Sequence, residues 1–222
     1  MRYRCLVLDH DDTLVNSTAH VHYPAFLAAM DALRPGVTMT LDEYFAMNFD
    51  PGFMPYLEDT LKFTDEETSR EYDIWQSFAT TRVPEAYPGM DRLVRRQKQE
   101  GGYVCVISHS VSANIRRDYR ENGLPEPDLV FGWDLPKEKR KPSPWALEEI
   151  MRSLSLAPQD LLVVDDLKPG YEMARAGHVD FAAAMWAHHV PGIRSFMKAH
   201  ADFCLETPDD LYTLQFPDSG SM

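Results

Sequence analysis

Acidic side chains are crowded directly after the first apolar run of the chain. Asp9, Asp11 and Asp12 fall within four positions. Like charges held this close repel each other and drive their pKa values apart, so a chain with no use for them would be expected to separate them. Clustered carboxylates suit a hard divalent cation, and Mg²⁺ is the usual one where phosphate is also bound. The crowding therefore indicates a cation site, acid–base chemistry or both.

More polar groups follow later apolar runs or stand just before a predicted helix: Ser108, His109, Lys141, Asp165 and Asp166. In open α/β sheets, ligands bind at the carboxyl ends of the strands. We therefore expect these groups to meet the first acidic cluster at one edge of a sheet. Such a site would combine two groups of carboxylates with a hydroxyl and an ammonium group.

Short apolar runs alternate with amphipathic stretches along most of the chain. The runs are expected to form buried strands at residues 3–8, Tyr103–Ile107, Leu129–Phe131, 161–164, 181–185 and Phe203–Leu205. Helices are predicted at residues 90–100, around Ile115, from a Ser143 N-cap with Pro144 as first helical residue, and at 169–176. This alternation predicts an α/β fold with a doubly wound, mainly parallel Rossmann-like sheet.

The region between the first strand and the next core helix breaks this alternation. It reads as helical pieces at Tyr23–Leu33, 41–47, 53–61 and 65–80, and Thr64 has a glutamate three residues later, as in a capping box. We predict a core of residues 1–15 and 84–222, with a helical cap of residues 16–83 inserted after the first strand. The polar tail PDSGSM is expected to fray.

Composition narrows the class of protein. The chain has 222 residues and a net charge of −13, which argues against nucleic acid or an anionic membrane as the main partner. Three widely separated cysteines are predicted to be buried core thiols rather than disulfides or a zinc site: Cys5, Cys105 and Cys204. No signal-peptide pattern or membrane-spanning run is seen, so we expect a cytoplasmic protein. The oligomeric state stays open.

The order of the polar groups resembles the haloacid dehalogenase-like hydrolase superfamily, in its phosphatase and phosphomutase branch with a small helical cap. Four motifs of that superfamily are matched in order over nearly the whole chain. They are D-x-D-x-T-[LV] at Asp9, Asp11, Thr13 and Leu14; a strand-ending Ser at Ser108; Lys141-Pro142; and an acidic pair with a following glycine at Asp165, Asp166 and Gly170.

The resemblance implies a Mg²⁺-dependent hydrolase of small phosphorylated metabolites. Asp9 would be the nucleophile that forms an aspartyl-phosphate. Asp11 would be the general acid and then the general base, with its protonated form favoured by the neighbouring negative charge. The metal would be held by Asp9, the backbone carbonyl of Asp11 and Asp166, with Asp165 as second choice. The phosphoryl group would be bound by Ser108 and Lys141. His109, next to Ser108, is a further candidate for phosphate binding that either lines the pocket or only orients a loop.

Some positions leave alternatives open. His22 falls where several cap-bearing relatives carry a histidine near the cleft, although a surface or packing role is as good an interpretation. Asp12 stands where the family commonly has glycine, and we expect it to tolerate the unusual backbone angles there. His188 is interpreted as a loop residue. A sugar phosphomutase and a catalytically idle binding scaffold remain alternatives, and the substrate stays open.

Overall fold

The computed structural model describes residues 1–217, so most of the tail expected to fray lies outside the described residues. Within these residues six parallel strands form one sheet: β1 (Cys5–Leu8), β2 (Tyr103–Ile107), β3 (Leu129–Phe131), β4 (Leu161–Asp165), β5 (Asp180–Ala184) and β6 (Phe203–Leu205). Their order is β3-β2-β1-β4-β5-β6. Strands β2 and β3 are added on one side of β1, and β4, β5 and β6 are then added on the other side. The strand order therefore reverses between β1 and β4, which is the topological switch point of the sheet. The doubly wound parallel fold is confirmed.

Helices within residues 1–217 connect and cover these strands. They are α1 (Tyr23–Leu33), α2 (Leu41–Phe49), α3 (Phe53–Pro55), α4 (Asp65–Thr81), α5 (Met90–Gln99), α6 (Ser112–Glu121), α7 (Trp145–Leu154), α8 (Lys168–Ala176), α9 (Pro191–His200) and α10 (Pro208–Gln215). Two π-helical turns, Thr18–His22 and Tyr56–Thr60, precede α1 and follow α3. None of the described helices is long and apolar enough to span a bilayer.

Both faces of the sheet are buried, which explains why the central strands are continuous apolar runs. Leu6 and Leu8 of β1 pack with α5, α6 and α10, whereas Cys5 and Val7 pack with α7, α8 and α9. The prediction of buried thiols is wrong for Cys204, which is exposed. It lies in the three-residue strand β6 at the edge of the sheet, where little covers the outer side.

Several predicted boundaries differ from the structure. Helix α7 begins at Trp145, because its first i−4 hydrogen bond runs from Glu148 N to Pro144 O at 3.0 Å. The helix expected at residues 53–61 divides into α3 and a π-helical turn. Helices α9 and α10 are additional to the predicted set. Each begins with a proline, and Thr207 caps α10 with a capping box.

The helices between β1 and α5 have an apolar cluster of their own, formed by Phe26, Ala29, Met30, Tyr44, Met47 and Leu57. The predicted capping box begins α4: Thr64 Oγ1 accepts from Glu67 N at 3.2 Å, and a Glu67 carboxylate oxygen accepts from Thr64 N at 2.9 Å. Helix α2 also reaches the sheet domain, since Phe45 packs with the α7–α9 side of the core. The helices thus have an apolar cluster of their own as well as a contact with the core, and the division into core and cap stays a prediction.

The two connections to this helical segment run side by side. Val15 pairs in antiparallel fashion with Ala86. The pairing is extended by hydrogen bonds from Asn16 N to Glu85 O and from Tyr87 N to Leu14 O, both at 2.9 Å. The chain therefore leaves and re-enters the sheet domain at one place, beside the carboxyl end of β1.

One carboxylate of this segment is buried without a partner. Glu71 of α4 is 5% exposed, and no residue within 1–217 hydrogen-bonds to it or pairs with its charge. Burial raises its pKa from 4.5 to about 7.

Candidate active site

Three carboxylates converge at the carboxyl ends of the two central strands. Asp9 follows β1, Asp165 ends β4, and Asp166 comes next; oxygens of the three lie within 4.8 Å of one another. Asp9 N donates to Val164 O at 2.9 Å, so the strand pairing itself aligns the two acidic loops. All three side chains are buried, and burial raises the pKa of Asp9 and Asp166, and that of Asp165 to about 6. The arrangement concentrates negative charge where water cannot screen it.

Lys141 partly offsets this charge. Its Nζ lies 2.9 Å from an Asp9 oxygen and 2.7 Å from an Asp165 oxygen. Burial alone would lower the pKa of Lys141, but Asp165 and Asp9 raise it above its ordinary value, so the ammonium form is retained. The residue is 8% exposed, although the sequence KEKRK in which it lies reads as a solvated loop.

Asp165 and Asp166 differ in their partners. Asp165 uses one oxygen for Lys141 and the other for Leu167 N at 2.9 Å. Gly170 makes this possible, because a Cβ at that position would overlap the Asp165 carboxylate. Asp166 Oδ2, by contrast, is buried with no hydrogen-bond partner among the described residues. A buried unpaired oxygen costs free energy unless a cation or donor reaches it, which favours Asp166 over Asp165 as a metal ligand.

Asp11 turns its carboxylate to a different set of partners. Oδ1 accepts from Ser17 Oγ at 2.7 Å and is 2.8 Å from His22 Nε2; Oδ2 accepts from Ser110 Oγ at 2.7 Å and Ser108 Oγ at 3.1 Å. Burial alone would raise its pKa, but His22 and the hydroxyl donors hold the pKa of Asp11 well below its usual range. The expectation that neighbouring charge favours protonated Asp11 is therefore wrong for this state of the site.

His22 is itself held by Trp75 of α4, whose indole Nε1 donates to His22 Nδ1 at 2.9 Å, with the two ring planes 14° from parallel. An indole N–H only donates, so Nδ1 must accept and the ring proton is assigned to Nε2, where it is donated to Asp11. Asp11 raises the pKa of His22 despite its burial. Protonation of His22 Nδ1 would, however, place its N–H against the indole N–H of Trp75. Because two donors cannot share this contact, we assign the neutral form of His22.

His109 and Asp12, which were also predicted to lie at or near the site, have the following contacts. His109 is exposed; its Nε2 lies 3.1 Å from the Lys141 carbonyl, and its ring meets the edge of Trp133. Asp12 adopts a φ of 59°, the left-handed conformation that normally favours glycine. Its carboxylate accepts from Thr18 N at 3.2 Å and so joins the π-helical turn to the loop that follows β1. The expected tolerance of Asp12 for this backbone conformation is met.

Sequence reasoning missed several residues of the site. Ser17, Ser110 and Trp75 hold Asp11 or its histidine, and none belongs to a motif. His188 lies in a loop, as interpreted, but it is buried with Nε2 3.7 Å from Asp166 Oδ2. Its position after β5 was an available signal, because that strand also ends at the ligand-binding edge of the sheet.

Comparison with known proteins decides the family. The family model described as haloacid dehalogenase-like hydrolase matches residues 6–184, which runs from the second residue of β1 to the end of β5 and includes Asp9, Asp11, Asp165 and Asp166. The chain belongs to the haloacid dehalogenase-like hydrolase family. The resemblance drawn from the four motifs is thereby confirmed, and Asp9, Ser108, Lys141 and Asp166 fall within the matched region of this hydrolase.

One curated relative of this hydrolase is named as a phosphatase, the bifunctional riboflavin kinase/FMN phosphatase of Arabidopsis thaliana. The two sequences are 35% identical over 91 residues, and this stretch covers 40% of this chain and 24% of that protein. The chain thus matches about a quarter of that relative's length.

Two solved structures share its fold over nearly their whole length. CbbY of Rhodobacter sphaeroides, solved as a mutant with xylulose-(1,5)bisphosphate, has a TM-score of 0.70 at 18% identity, covering 93% of this chain and 95% of CbbY. A predicted phosphoglycolate phosphatase of Haemophilus somnus has a TM-score of 0.76 at 14% identity, covering 97% and 99%. At these identities the likeness establishes the fold.

Proposed function

We propose that this hydrolase is a Mg²⁺-dependent phosphomonoester phosphatase that acts on a small phosphorylated metabolite through an aspartyl-phosphate intermediate. The observation that carries the proposal is the convergence of Asp9, Asp165 and Asp166 around Lys141 at the switch point of the sheet. Family membership and phosphatase-named relatives support it.

The donor set fits Mg²⁺. It offers buried carboxylate oxygens, and Asp166 Oδ2 has no partner among residues 1–217. We propose Asp9, Asp166 and the backbone carbonyl of Asp11 as ligands, with Asp165 beside them as second choice. A bound Mg²⁺ ion would neutralise negative charge on the carboxylates and on the phosphoryl oxygens.

In the proposed reaction, an Asp9 carboxylate oxygen attacks phosphorus while the P–O bond to the leaving group breaks. Asp11 gives a proton to the leaving oxygen. Asp11 then takes a proton from water, whose oxygen attacks the same phosphorus and releases phosphate and the Asp9 carboxylate. Each proton that Asp11 gives is recovered, so the cycle closes.

The hydrogen bonds of Asp11 without substrate must change before Asp11 can act as an acid. Asp11 is ionised and accepts two serine hydroxyls, one of them from Ser108. We infer that Ser108 turns from Asp11 to the phosphoryl group when substrate arrives, with Lys141 beside it. Loss of that donor and the approach of a phosphate dianion both raise the pKa of Asp11, which prepares it as an acid.

The proposal extends to the substrate class, His109, the helical segment and the location of the protein. A small phosphorylated metabolite agrees with the phosphorylated sugar bound by CbbY, and the net charge of −13 disfavours nucleic acid. His109 is proposed to line the phosphate site from its exposed edge, and residues 16–83 are proposed to act as a cap over it. We further propose that the protein is cytoplasmic.

The test is phosphate release from a panel of small phosphate esters, with and without Mg²⁺, for the wild type and Asp9→Asn. Mg²⁺-dependent release that the substitution abolishes supports the phosphatase. Conversion of a sugar phosphate to its isomer without phosphate release would instead indicate a phosphomutase. No turnover together with no Mg²⁺ binding would contradict the proposal and indicate a binding scaffold.

A further inference from the structure

His188 is a buried histidine to which the proposed reaction gives no role. It lies in the loop between β5 and α9, and its side chain is 4% exposed. Neither of its ring nitrogens has a hydrogen-bond partner within residues 1–217. Buried polar groups are normally paired, because an unmade hydrogen bond leaves their desolvation uncompensated. Two unpaired nitrogens on one buried ring therefore call for a partner close by.

The His188 ring lies next to one of the proposed metal ligands. Its Nε2 is 3.7 Å from Asp166 Oδ2, which is also buried and unpaired among the described residues. This separation is about 0.5 Å longer than a protein N–H···O hydrogen bond, so a small rotation of either side chain closes it. A carboxylate oxygen has two lone pairs, so Oδ2 can accept from Nε2–H and still bind a cation.

His188 is not placed to bind the same ion directly. Asp9, Asp165 and Asp166 have oxygens within 4.8 Å of one another, and within residues 1–217 no set of three ligating residues at this spacing includes His188. Two ligands that are each about 2.1 Å from one ion lie at most about 4.2 Å apart. Nε2 therefore cannot join Asp166 and a second carboxylate around one small cation, and it can act only through the ligand.

Packing holds the His188 ring at this position. The ring packs on Phe45 of α2, with the ring centroids 4.7 Å apart. The loop that carries His188 is also tied to the loop after β1, because Trp186 Nε1 donates to Thr13 O at 3.1 Å. Phe45 belongs to the helical segment between β1 and α5, so its contact with His188 connects that segment to a neighbour of Asp166.

We propose that His188 is a positioning residue for the metal site, which donates from Nε2 to Asp166 Oδ2 and holds this carboxylate toward the cation while Phe45 holds the His188 ring. The inference rests on the proposed function and deepens the description of its metal site. Hydrogen bonds to a ligating carboxylate orient it, and the loss of one lowers metal affinity by about 10- to 100-fold. The affinity for the cation thus depends on His188 and, through Phe45, on α2.

The test measures Mn²⁺ affinity by electron paramagnetic resonance without substrate, with Mn²⁺ standing in for Mg²⁺. Glutamine can present an N–H near the place of Nε2, whereas phenylalanine keeps the packing on Phe45 and removes the donor. We expect His188→Phe to weaken Mn²⁺ binding by about tenfold and His188→Gln by less than about threefold. His189 is the exposed neighbour and the matched control, so His189→Phe should bind Mn²⁺ as the wild type does.

A role in packing alone predicts the opposite order, because phenylalanine replaces the ring better than glutamine does. Equal affinities of the wild type and His188→Phe, or weaker binding by His188→Gln than by His188→Phe, would therefore overturn the inference. Electron spin echo measurements on the wild type add a direct check. A ¹⁴N coupling to Mn²⁺ of the size of a coordinated imidazole would make His188 a ligand and would also overturn the positioning role.

The part played by Phe45 is tested by a double-mutant cycle. We expect Phe45→Ala to weaken Mn²⁺ binding by about fivefold in the wild type and by less than about twofold in His188→Phe. The matched control is Phe49→Ala on the same helix, since Phe49 packs on Phe196; its Mn²⁺ affinity should stay that of the wild type. Equal losses from Phe45→Ala in both backgrounds would overturn the proposed route through His188.

These measurements need no turnover, which keeps this inference separate from the proposed activity. Mn²⁺ binding with the expected order of affinities, but no phosphate release from any ester, supports the positioning role and contradicts the phosphatase. Phosphate release together with equal Mn²⁺ affinities of the wild type and His188→Phe does the reverse. No Mn²⁺ binding by the wild type would overturn the proposed metal site and this inference with it.

Discussion

The buried, unpaired carboxyl group of Glu71 should make the free energy of unfolding depend on pH. A folded-state pKa of about 7 against an ordinary value of 4.5 means that the folded protein favours the neutral form. Stability from this group is fully present below pH 4.5 and is lost as the pH rises through 7. The difference of about 2.5 pKa units corresponds to about 3 kcal/mol, of which about 2.5 kcal/mol is lost between pH 5 and pH 8.

Glu71→Gln removes the titration while keeping the shape of the side chain. We expect the free energy of unfolding of Glu71→Gln, relative to the wild type, to improve by about 2 to 3 kcal/mol more at pH 8 than at pH 5. For a chain of this length that corresponds to a relative gain of about 5 to 10 °C in Tm. The assay is urea unfolding followed by far-UV circular dichroism at pH 5, 6, 7 and 8.

The matched control is Asp73→Asn, which removes an exposed carboxylate from the same helix. Its effect on stability should be small and nearly independent of pH. If Glu71→Gln shows the same flat profile, the carboxylate is solvated in solution and the reasoning from burial is refuted. A sharper fall in wild-type stability below pH 5 than in the variant would refute the sign.

Further substitutions test other contacts. Gly170→Ala should displace the Asp165 carboxylate and lower kcat/KM by about 100-fold while the far-UV spectrum is kept; full activity would contradict the role of this glycine. Trp75→Phe should release His22 Nδ1, so that ¹⁵N shifts report mixed tautomers, whereas Trp133→Phe should leave His22 unchanged. Arg117→Met should destabilise the protein by about 3 kcal/mol in urea unfolding, because it removes the guanidinium that pairs with the buried Asp118 carboxylate and leaves that carboxylate with only His10 as a partner. The exposed neighbour Arg116→Met should change stability by less than about 1 kcal/mol, and equal losses would contradict the assignment.

The part of the site that lies on the sheet could be predicted from the sequence. Asp9 directly follows β1 and Asp165 ends the neighbouring strand β4, so the parallel register, with Leu8 opposite Val164, brings the two together. Lys141 could be placed because a proline and a helix follow it. These positions depend on local sequence pattern and on the rule that ligands bind at the carboxyl ends of the strands in open α/β sheets.

The contacts made across the two parts of the chain could not be predicted. Trp75 and His22 are 53 residues apart, and their hydrogen bond depends on how α4 packs beside the π-helical turn. The low pKa of Asp11 follows from that packing, whereas the sequence displays only the neighbouring acids that would raise it. Ser110 gave no signal either, since a serine after a strand equally suits a helix cap.

The paired crossings at Val15 and Ala86 have a consequence for the evolution of this fold. Because the entry and exit strands are hydrogen-bonded to each other, the ends of the helical segment are fixed by the core itself and not by what lies between them. Insertions are tolerated best where chain ends already meet, since loop-closure entropy grows only slowly with length. The segment can therefore be exchanged or rebuilt in a descendant without disturbing the strand register, so that new selectivity is acquired while the chemistry is inherited.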